Sequence, residues 1–543
     1  MRWWGWGDPS HRSALPPHAL KFLRETVGVA SRPRPPVALG QVQIDPSALS
    51  EQAAAALRGI VGGEGMRDDH GERVVHAAGK GYPDLVRQRA GRPEGAPDAV
   101  VCPAGHEQLR AVLEQCARSS VAVVPWGGGT SVVGGVAPLR GEHAAVVALD
   151  MGRMGEVLEL DRESRTVTVQ AGMRAVALER YLAPHGLTLG HFPQSFEYVS
   201  LGGCAATRSA GQASGGYGRI EQMVLGMRLH APAGDIDLAS VPASAAGPGL
   251  RQLLVGSEGT LGVIGELALR VRPAPRARSY EGVFFEDFAT GVQALRGLAQ
   301  QHASPDVARL SDQAETRMSL ALAGTGGLKG RLGKAYLGLR GYRGGCLAIL
   351  GFEGEPELLA ARRKRALELV RRDGGLAVGR SPGEAWLASR FSAPYLRDEL
   401  LTQGVMVETL ETATKWSNVG ALHRAVGGAI ADALSAAGTP GLVMCHVSHL
   451  YETGASLYFT FLAGQREGEE LEQWHSVKQA ASRAIVSGGG TITHHHAVGR
   501  DHAPWMKDEI GGEGVAVLRA LKSELDPAGI MNPGKLLPIS DRG

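Results

Sequence analysis

A short apolar strand that runs directly into a glycine triplet constrains the fold of this chain more than any other feature. The strand Val121–Pro125 leads into the loop 126–131, Trp-Gly-Gly-Gly-Thr-Ser. Glycines tolerate positive φ, and successive bare amides in such a turn form a concave site for an anion such as a pyrophosphate. No long helix with a G-x-G-x-x-G start follows, and the chain has no Walker Gly-Lys-Ser/Thr sequence. On this loop alone, a plain β-turn stays an alternative.

Composition excludes several classes of protein. A chain of 543 residues with 43% hydrophobic and 21% charged residues predicts a globular protein with several domains or one large composite domain. A net charge of +2 argues against a nucleic-acid partner. Five scattered cysteines predict neither a disulfide framework nor a zinc site, and favour a reducing compartment. The use of Ala, Gly and Arg is typical of GC-rich bacterial genomes. Without a signal sequence or a long apolar run, we expect a cytoplasmic protein, and peripheral membrane contact stays open.

The hydrophobic pattern predicts an α+β fold in four parts. Helix His106–Arg118 and strands Ala145–Asp150 and Thr166–Gln170 are the clearest elements. Later patterns predict helices near 356–372, 468–487 and 505–525, and strands near 441–449 and 456–462. Residues 1–45, rich in Pro, Arg and Trp, are expected to be an extended arm. We expect domain limits at 1–92 (arm and short helices), 93–275, 276–490 and 491–543.

Three adjacent histidines, His494 to His496, are the strongest chemical signal in the second half of the chain. In a strand, His494 and His496 would share one face and His495 would point to the other. A helix would also spread the three rings, and no CxxC or HExxH pattern accompanies them, so we expect no metal. A metal site completed by other histidines or carboxylates stays an alternative. Apolar and glycine-rich neighbours predict half-buried imidazoles that need partners.

Three further segments form a set with the glycine triplet. They are Pro193 to Gly203, Thr207 to Gly211, and Gly256 to Ile264. In this order and spacing, the four segments resemble the PCMH-type FAD-binding domain of the vanillyl-alcohol oxidase superfamily, over about 97–275. The resemblance implies two packed α+β subdomains that hold FAD, an α+β cap domain at 276–490, and a segment 491–543 that returns to the FAD site. The implied FAD-binding residues are Pro125, Trp126, Gly127, Gly128, Gly129, Thr130, Ser131, Gln194, Ser195, Ser200, Gly202, Gly203, Thr207, Arg208, Ser209, Ala210, Glu258, Gly259, Thr260, Gly262, Val263 and Ile264.

The same resemblance bears on how the flavin is held. In this superfamily a histidine after the glycine triplet often carries covalent FAD. This chain has Thr130 at that position. We therefore expect non-covalent FAD.

Motifs along nearly the whole chain resemble the alkyl-dihydroxyacetone-phosphate synthase family. They are Trp4 to Gly7, Gly190 to Ser195, Arg309 to Asp312, Tyr395 to Asp398, Ser448 to Gly454, Leu457 to Phe459, and the histidine triplet. Members of this family exchange the acyl chain of acyl-dihydroxyacetone phosphate for a fatty alcohol, and flavin N5 is thought to hold the sugar-phosphate carbon. The resemblance implies a lipid or other small-molecule substrate and a homodimer. It also implies catalytic roles for Tyr458, His191, His494, His495 and His496, and substrate binding by Arg397 and Arg309.

The chemistry suits these residue types, although simpler explanations exist for two of them. Imidazole can remove a proton from a carbon beside a ketone near neutral pH, and arginine holds a phosphate or carboxylate through two donors. On sequence alone, Tyr458 could be a core aromatic residue with a satisfied hydroxyl. Arg397 could form a surface ion pair with Asp398 or Glu399.

Two departures from the family pattern favour a second hypothesis. Gln212 to Gly216 replaces a stretch where the synthases tend to be basic, and the tail Met531 to Lys535 resembles D-lactate and glycolate dehydrogenases. The alternative is an FAD-dependent dehydrogenase of a 2-hydroxy acid or an alcohol, with Arg397 or Arg309 as a carboxylate clamp. Tyr458 together with three histidines favours the synthase-like enzyme. A flavin-binding structural protein would leave these proton-transfer groups without a role.

Overall fold

The computed structural model describes residues 1–8, 10, 15–30, 32–322 and 335–537. Within the segment 1–45, the structure contains the helix Pro17–Thr26, so the prediction of a wholly extended arm was wrong. Proline is well tolerated in the first turn of a helix, and Ala19 and Leu23 on one face are fully buried. The amphipathic pattern therefore outweighs the proline and arginine content of this segment.

The first sheet has four strands and presents the glycine triplet at one end. Its order is β1–β2–β4–β3, with β1 (Met66–Arg67), β2 (Ala99–Val101), β3 (Val121–Trp126) and β4 (Ala145–Asp150). β2, β4 and β3 are parallel, and the predicted helix His106–Arg118 makes the crossover from β2 to β3. Helices Glu51–Val61, His70–Val75 and Tyr82–Arg89 precede this unit.

The second sheet is antiparallel and has the order β5–β6–β10–β8–β9. Its strands are β5 (Val157–Asp161), β6 (Thr166–Gln170), β8 (Val224–Ala231), β9 (Gly234–Leu238) and β10 (Val263–Arg270), with a separate pair β7 (Leu187–Thr188) and β11 (Arg272–Pro273). The helices that belong to this region are Ala175–Leu182, Leu201–Ala206, Ser214–Tyr217, Ile220–Met223 and Leu250–Leu254.

The third sheet is the largest and is antiparallel throughout. Its order is β15–β12–β14–β13–β17–β18–β16. The strands are β12 (Ala277–Phe285), β13 (Val307–Ser311), β14 (Cys346–Gly354), β15 (Leu376–Gly379), β16 (Val405–Lys415), β17 (Leu442–Leu450) and β18 (Gly454–Gly464). Helices Phe288–Gln300, Pro356–Arg372, Val419–Ala436 and Glu470–Ser487 share one apolar core with this sheet. Successive side chains of a strand point to opposite faces of its sheet. Every second side chain of β13, β17 and β18 therefore points away from this core, to the other face of the third sheet.

Helices Gln313–Leu322, Ser381–Ser389 and Ala393–Thr402 lie in the same half of the chain as the third sheet. The helix Met506–Leu525 follows it, and the chain then returns to the first sheet. Met531 pairs with Val123 of β3, and the Asn532 backbone N–H donates to the Val123 carbonyl oxygen at 2.8 Å. Within the described residues, none of the helices combines the length and apolar character that a membrane span requires.

Candidate functional site

One cavity of about 630 Å³ lies where loops of the first two sheets meet the open face of the third sheet. The glycine loop 125–132 and the loops 193–212 and 258–264 form one wall. Strands β13, β16, β17 and β18 form the opposite wall, and the helix Ala393–Thr402 closes one side. His495 and His496 of the histidine triplet, and the following Ala497, also line this cavity.

The glycine triplet has no room for side chains. A Cβ atom on Gly128 would lie 2.2 Å from the Tyr198 carbonyl oxygen, and one on Gly127 would lie 2.1 Å from the Ser200 hydroxyl oxygen. Gly129 has a φ of +64°, which favours glycine. The chain therefore brings bare backbone close to the cavity, as a pyrophosphate-containing cofactor needs.

The structure brings all but two of the predicted FAD-binding residues to the lining of this cavity. The exceptions, Arg208 and Thr260, stabilise the loops from behind. The Arg208 guanidinium donates to the carbonyl oxygens of Val255 at 3.0 Å and Gln252 at 2.6 Å. The Thr260 hydroxyl donates to the Ser257 carbonyl oxygen at 2.7 Å.

Glu258 joins the flavin-side loops to the C-terminal segment. Its carboxylate accepts hydrogen bonds of 2.7 Å from the backbone N–H groups of Val498 and Gly499. Its own carbonyl oxygen accepts a 2.6 Å hydrogen bond from the Asn532 side chain. Burial raises the pKa of Glu258 to about 7. These contacts fix the position of the segment that follows the histidine triplet.

Tyr458 lies at the centre of the wall formed by the third sheet. On β18 it pairs with Glu411 of β16 on one side and His446 of β17 on the other, so the three side chains form a row. Its ring stacks on His446 with centroids 4.8 Å apart, and on His495 with centroids 6.1 Å apart. Burial raises the pKa of Tyr458 to about 12, so its hydroxyl is a neutral donor at physiological pH.

The histidine triplet adopts no regular secondary structure, so the alternating faces that a strand would give do not apply to it. The reason is Glu411, whose side chain is almost fully buried. Its carboxylate accepts hydrogen bonds from the backbone N–H groups of His494 (2.7 Å), His495 (2.8 Å) and His496 (2.8 Å), and from the Thr493 hydroxyl (3.0 Å). A strand cannot point three successive amides at one acceptor. The segment therefore folds around the carboxylate.

This conformation separates the three imidazoles. His495 and His496 line the cavity, whereas His494 lies behind them. Burial lowers the pKa of His496 to about 3 and that of His494 well below its usual value, so both rings are neutral. His191 is fully buried behind the loop, with Nε2 3.0 Å from the Ser209 hydroxyl oxygen, and does not line the cavity.

His449 joins the triplet from β17. Ring nitrogens of His449, His494 and His495 lie within 4.8 Å of one another, a grouping that sequence spacing did not reveal. The nitrogens of His449 contact the Ser448 hydroxyl oxygen at 2.9 Å and the Gly211 carbonyl oxygen at 3.1 Å. The predicted absence of a metal remains a prediction.

Arg397 is one of the residues that line the cavity. Its Nη1 donates to the Lys80 carbonyl oxygen at 2.7 Å, whereas Nε and Nη2 are buried and have no hydrogen-bond partner among the described residues. A buried donor without a hydrogen-bond partner costs free energy. Nε and Nη2 could therefore gain from an acceptor such as an oxygen of an anion. Lys80 also lines the cavity, and burial lowers its pKa to about 8.

Arg309 is more firmly paired than Arg397. Its Nη2 donates to Glu315 Oε1 at 2.6 Å, and His446 Nδ1 lies 3.1 Å from the same oxygen. Burial opposes ionisation of Glu315, but Arg309 and His446 hold its pKa at about 2. Arg309 therefore faces the cavity as part of an ionic cluster that also orients His446 below Tyr458.

The sequence interpretation assigned no role to Glu411, His446, Glu315 or His449. Glu411 has no distinct signal in the sequence, because β16 also carries Glu408 and several threonines. The other three depend on contacts between helices, strands and loops that are distant in sequence.

Comparisons with known proteins agree with this architecture. Residues 97–238 match the family described as "FAD binding domain", and residues 274–536 match "FAD linked oxidases, C-terminal domain". The alkyldihydroxyacetonephosphate synthase of Dictyostelium discoideum is 31% identical, over 99% of this chain and 93% of that protein. The enzyme of the same name from Trypanosoma brucei brucei is 32% identical, over 99% and 92%.

Solved structures show the same fold. A structure of an alkyldihydroxyacetonephosphate synthase superposes with a TM-score of 0.85 at 29% identity, over 98% of both chains. The 4-ethylphenol oxidase from Gulosibacter chungangensis, at 14% identity and a TM-score of 0.70 over 92% of this chain and 100% of that one, shares the fold alone. The chain belongs to the alkyldihydroxyacetonephosphate synthase family, and its cofactor is FAD.

Proposed function

We propose that this protein is an FAD-dependent alkyldihydroxyacetonephosphate synthase, which exchanges the acyl chain of acyl-dihydroxyacetone phosphate for a fatty alcohol. The observation that carries the proposal is the stack of His446, Tyr458 and His495 in the same cavity as the glycine loop. Proton donors and acceptors thus lie in the space that also receives the cofactor. The alternative, a dehydrogenase of 2-hydroxy acids, is less well supported by the relatives.

Different residues around the cavity would bind the cofactor, transfer protons and bind the phosphate. The glycine loop and the loops 193–212 and 258–264 would hold FAD, which when bound supplies the isoalloxazine ring against which the reacting carbon is held. The imidazoles of His495 and His496 can accept a proton from that carbon. The neutral hydroxyl of Tyr458 can donate a proton or hydrogen bond to an oxygen, and Arg397 can bind the phosphate through its free donors.

An apolar extension of the cavity suits the alkyl and acyl chains. It is lined by Met318, Leu322, Leu400, Val407, Met444 and Leu462. Most of these side chains belong to one buried cluster beneath the N-terminal helix Pro17–Thr26. Burial of each methylene of a chain contributes about 0.8 kcal/mol, so such a wall can bind a lipid substrate strongly.

We also propose the division of the chain that the sequence predicted. The segment 93–275 would hold FAD, 276–490 would bind the substrate, and 491–543 would bring the histidine triplet to the flavin. The contacts of Glu258 with Val498 and Gly499 support the last part, because they join a flavin-side loop directly to that segment.

A direct assay tests the proposal. Purified holoenzyme is mixed with acyl-dihydroxyacetone phosphate and radiolabelled hexadecanol, and we expect label in an alkyl ether product together with release of fatty acid. D-lactate, glycolate and simple alcohols should leave the flavin absorbance unchanged. Flavin bleaching by a 2-hydroxy acid without alkyl exchange would contradict the proposal and favour the dehydrogenase.

The flavin should be released when the protein is denatured. Thr130 stands where a covalently linked histidine would be expected, so no bond should retain FAD. We expect acid precipitation to leave a colourless pellet and a yellow supernatant. Yellow colour in the pellet would show a covalent link.

Gly128→Ala should prevent FAD binding. The added Cβ would lie 2.2 Å from the Tyr198 carbonyl oxygen, which is backbone and cannot move aside cheaply. We expect a strain of about 1–3 kcal/mol and at least a tenfold loss of flavin content, measured by the absorbance ratio of the purified protein. Gly59→Ala is the control, because Gly59 lies in the helix Glu51–Val61 with nothing within 4 Å of its Cβ position. Full occupancy in Gly128→Ala would show that this wall does not hold the cofactor.

A homodimer, a cytoplasmic location and peripheral membrane contact also belong to the proposal. Light scattering gives the mass in solution, and flotation with phospholipid vesicles tests membrane contact. We expect twice the chain mass of 57.0 kDa.

A further inference from the structure

A line of hydrogen-bonded side chains leads from the cavity toward the protein surface. His495 lines the cavity, and its Nδ1 lies 2.9 Å from Nδ1 of His494. Nε2 of His494 lies 2.5 Å from the hydroxyl oxygen of Tyr451. Tyr451 stands at the turn between β17 and β18, where it is half-buried and Glu452 and Thr453 are exposed. We propose that Tyr451, His494 and His495 form a proton wire between the cavity and solvent.

The proton count requires a shared hydrogen between the two histidines. Two imidazole nitrogens at 2.9 Å form a hydrogen bond only if one carries a proton and the other a lone pair. In the first arrangement, the Tyr451 hydroxyl donates to His494 Nε2, and His494 Nδ1 donates to His495 Nδ1, so His495 Nε2 carries a proton. In the second arrangement, His495 Nδ1 donates to His494 Nδ1 and His494 Nε2 donates to Tyr451, so His495 Nε2 has a free lone pair. Both arrangements are neutral.

A proton passes along the wire when the second arrangement becomes the first. The C–H bond of the substrate breaks, its electron pair stays on carbon, and the proton goes to His495 Nε2. The Nδ1 proton of His495 moves to His494 Nδ1, the Nε2 proton of His494 moves to the Tyr451 oxygen, and the Tyr451 hydroxyl proton moves to water. The reverse sequence returns a proton to the cavity. All three side chains are neutral before the first transfer and after the last one.

The surroundings of His494 favour transfer over storage of the proton. The ring is 7% exposed, and burial holds its pKa well below the usual value, so an imidazolium does not persist there. Glu411 Oε2 lies 3.6 Å from His494 Nδ1 and 3.4 Å from His495 Nδ1. On the other side, Arg219 donates to the His494 carbonyl oxygen at 2.7 Å, and the His449 ring centroid lies 4.9 Å away. Charges of opposite sign thus flank the wire.

The source of the proton, a C–H bond of the substrate, rests on the proposed function. The hydrogen bonds of the wire do not, because they are present in the protein without substrate. NMR of the ¹⁵N-histidine-labelled holoenzyme tests them directly. We expect one strongly deshielded proton coupled to ring nitrogens of both His494 and His495, and we expect Tyr451→Phe to shift the nitrogen resonances of both residues. The absence of the shared proton, or no shift in Tyr451→Phe, would overturn the wire whatever the enzyme catalyses.

Kinetics test whether the wire is used. We expect Tyr451→Phe to lower kcat for alkyl exchange about tenfold to a hundredfold, with KM and flavin content unchanged, and added imidazole to restore most of the loss. Tyr342→Phe removes an exposed tyrosine hydroxyl that donates to the Gly374 carbonyl oxygen, and should behave as wild type. An unchanged kcat in Tyr451→Phe, or a loss that imidazole does not restore, would overturn the role of Tyr451. If the wild-type enzyme performs no alkyl exchange, the proposed function fails and the NMR result still decides the wire.

Discussion

The Tyr458→Phe variant should lose alkyl exchange by about two to four powers of ten while it keeps its FAD. The ring would still stack on His446 and His495, because phenylalanine retains the aromatic face. Only the hydroxyl is lost. Since burial raises the pKa of Tyr458 to about 12, this hydroxyl is protonated at neutral pH and acts as a donor to an oxygen of the substrate. Steady-state kinetics and the flavin absorbance of the purified variant measure the two effects.

A second tyrosine separates chemistry from stability. Tyr280 is buried outside the cavity lining, and its hydroxyl donates to Glu353 Oε1 at 2.7 Å. We expect Tyr280→Phe to lower the free energy of unfolding by about 1–3 kcal/mol, because the Glu353 carboxylate loses a donor. We expect no loss of kcat, because Tyr280 does not line the cavity. If Tyr458→Phe kept more than about a tenth of wild-type activity, Tyr458 would be a packing residue and the proposed role of its hydroxyl would be wrong.

Local sequence patterns predicted the elements whose stability depends on near neighbours. The helix His106–Arg118 and the strands Ala145–Asp150 and Thr166–Gln170 have the limits that were expected. The glycine loops were also predictable, because steric exclusion of a side chain at positions such as Gly128 leaves a direct trace in the sequence. The helix Pro17–Thr26 is hard to predict because only Ala19 and Leu23 are buried on its apolar face, within a segment rich in proline and arginine.

The conformation of the histidine triplet could not be predicted from its own residues. Periodicity describes helices and strands, whereas the triplet is shaped by a carboxylate 83 residues away. Likewise, His446, Glu411 and Tyr458 meet only because β17, β18 and β16 are neighbours in one register. A shift of one residue in that register would turn Tyr458 away from the cavity. The site therefore depends on the pairing of strands, which a single sequence does not reveal.

Glu411→Gln should also damage the enzyme, although less than the loss of the Tyr458 hydroxyl. The Oε1 atom accepts three of the four hydrogen bonds to the segment 493–496, and a glutamine oxygen could keep them. The NH₂ group of the glutamine would then replace Oε2, which now accepts from the His494 backbone N–H at 2.7 Å. Two donors would face each other at that distance. We expect the triplet to rearrange, with a loss of about 1–3 kcal/mol in stability and of at least tenfold in kcat.

The pH dependence of stability tests whether the lost charge of Glu411 causes the loss of stability in Glu411→Gln. Burial opposes ionisation of Glu411, but His495 and the other neighbours hold its pKa well below 4.5. A group whose folded-state pKa is depressed contributes stability above its unfolded pKa and loses it as the pH falls through the folded value. The difference in unfolding free energy between wild type and Glu411→Gln should therefore be full at pH 7 and shrink as the pH falls below 4.5 toward the lower pKa of the folded state. Glu452→Gln, an exposed carboxylate near the same site, should show no such difference. A wild-type triplet conformation in Glu411→Gln, seen as unchanged histidine resonances and full kcat, would show that the charge of Glu411 does not shape the triplet.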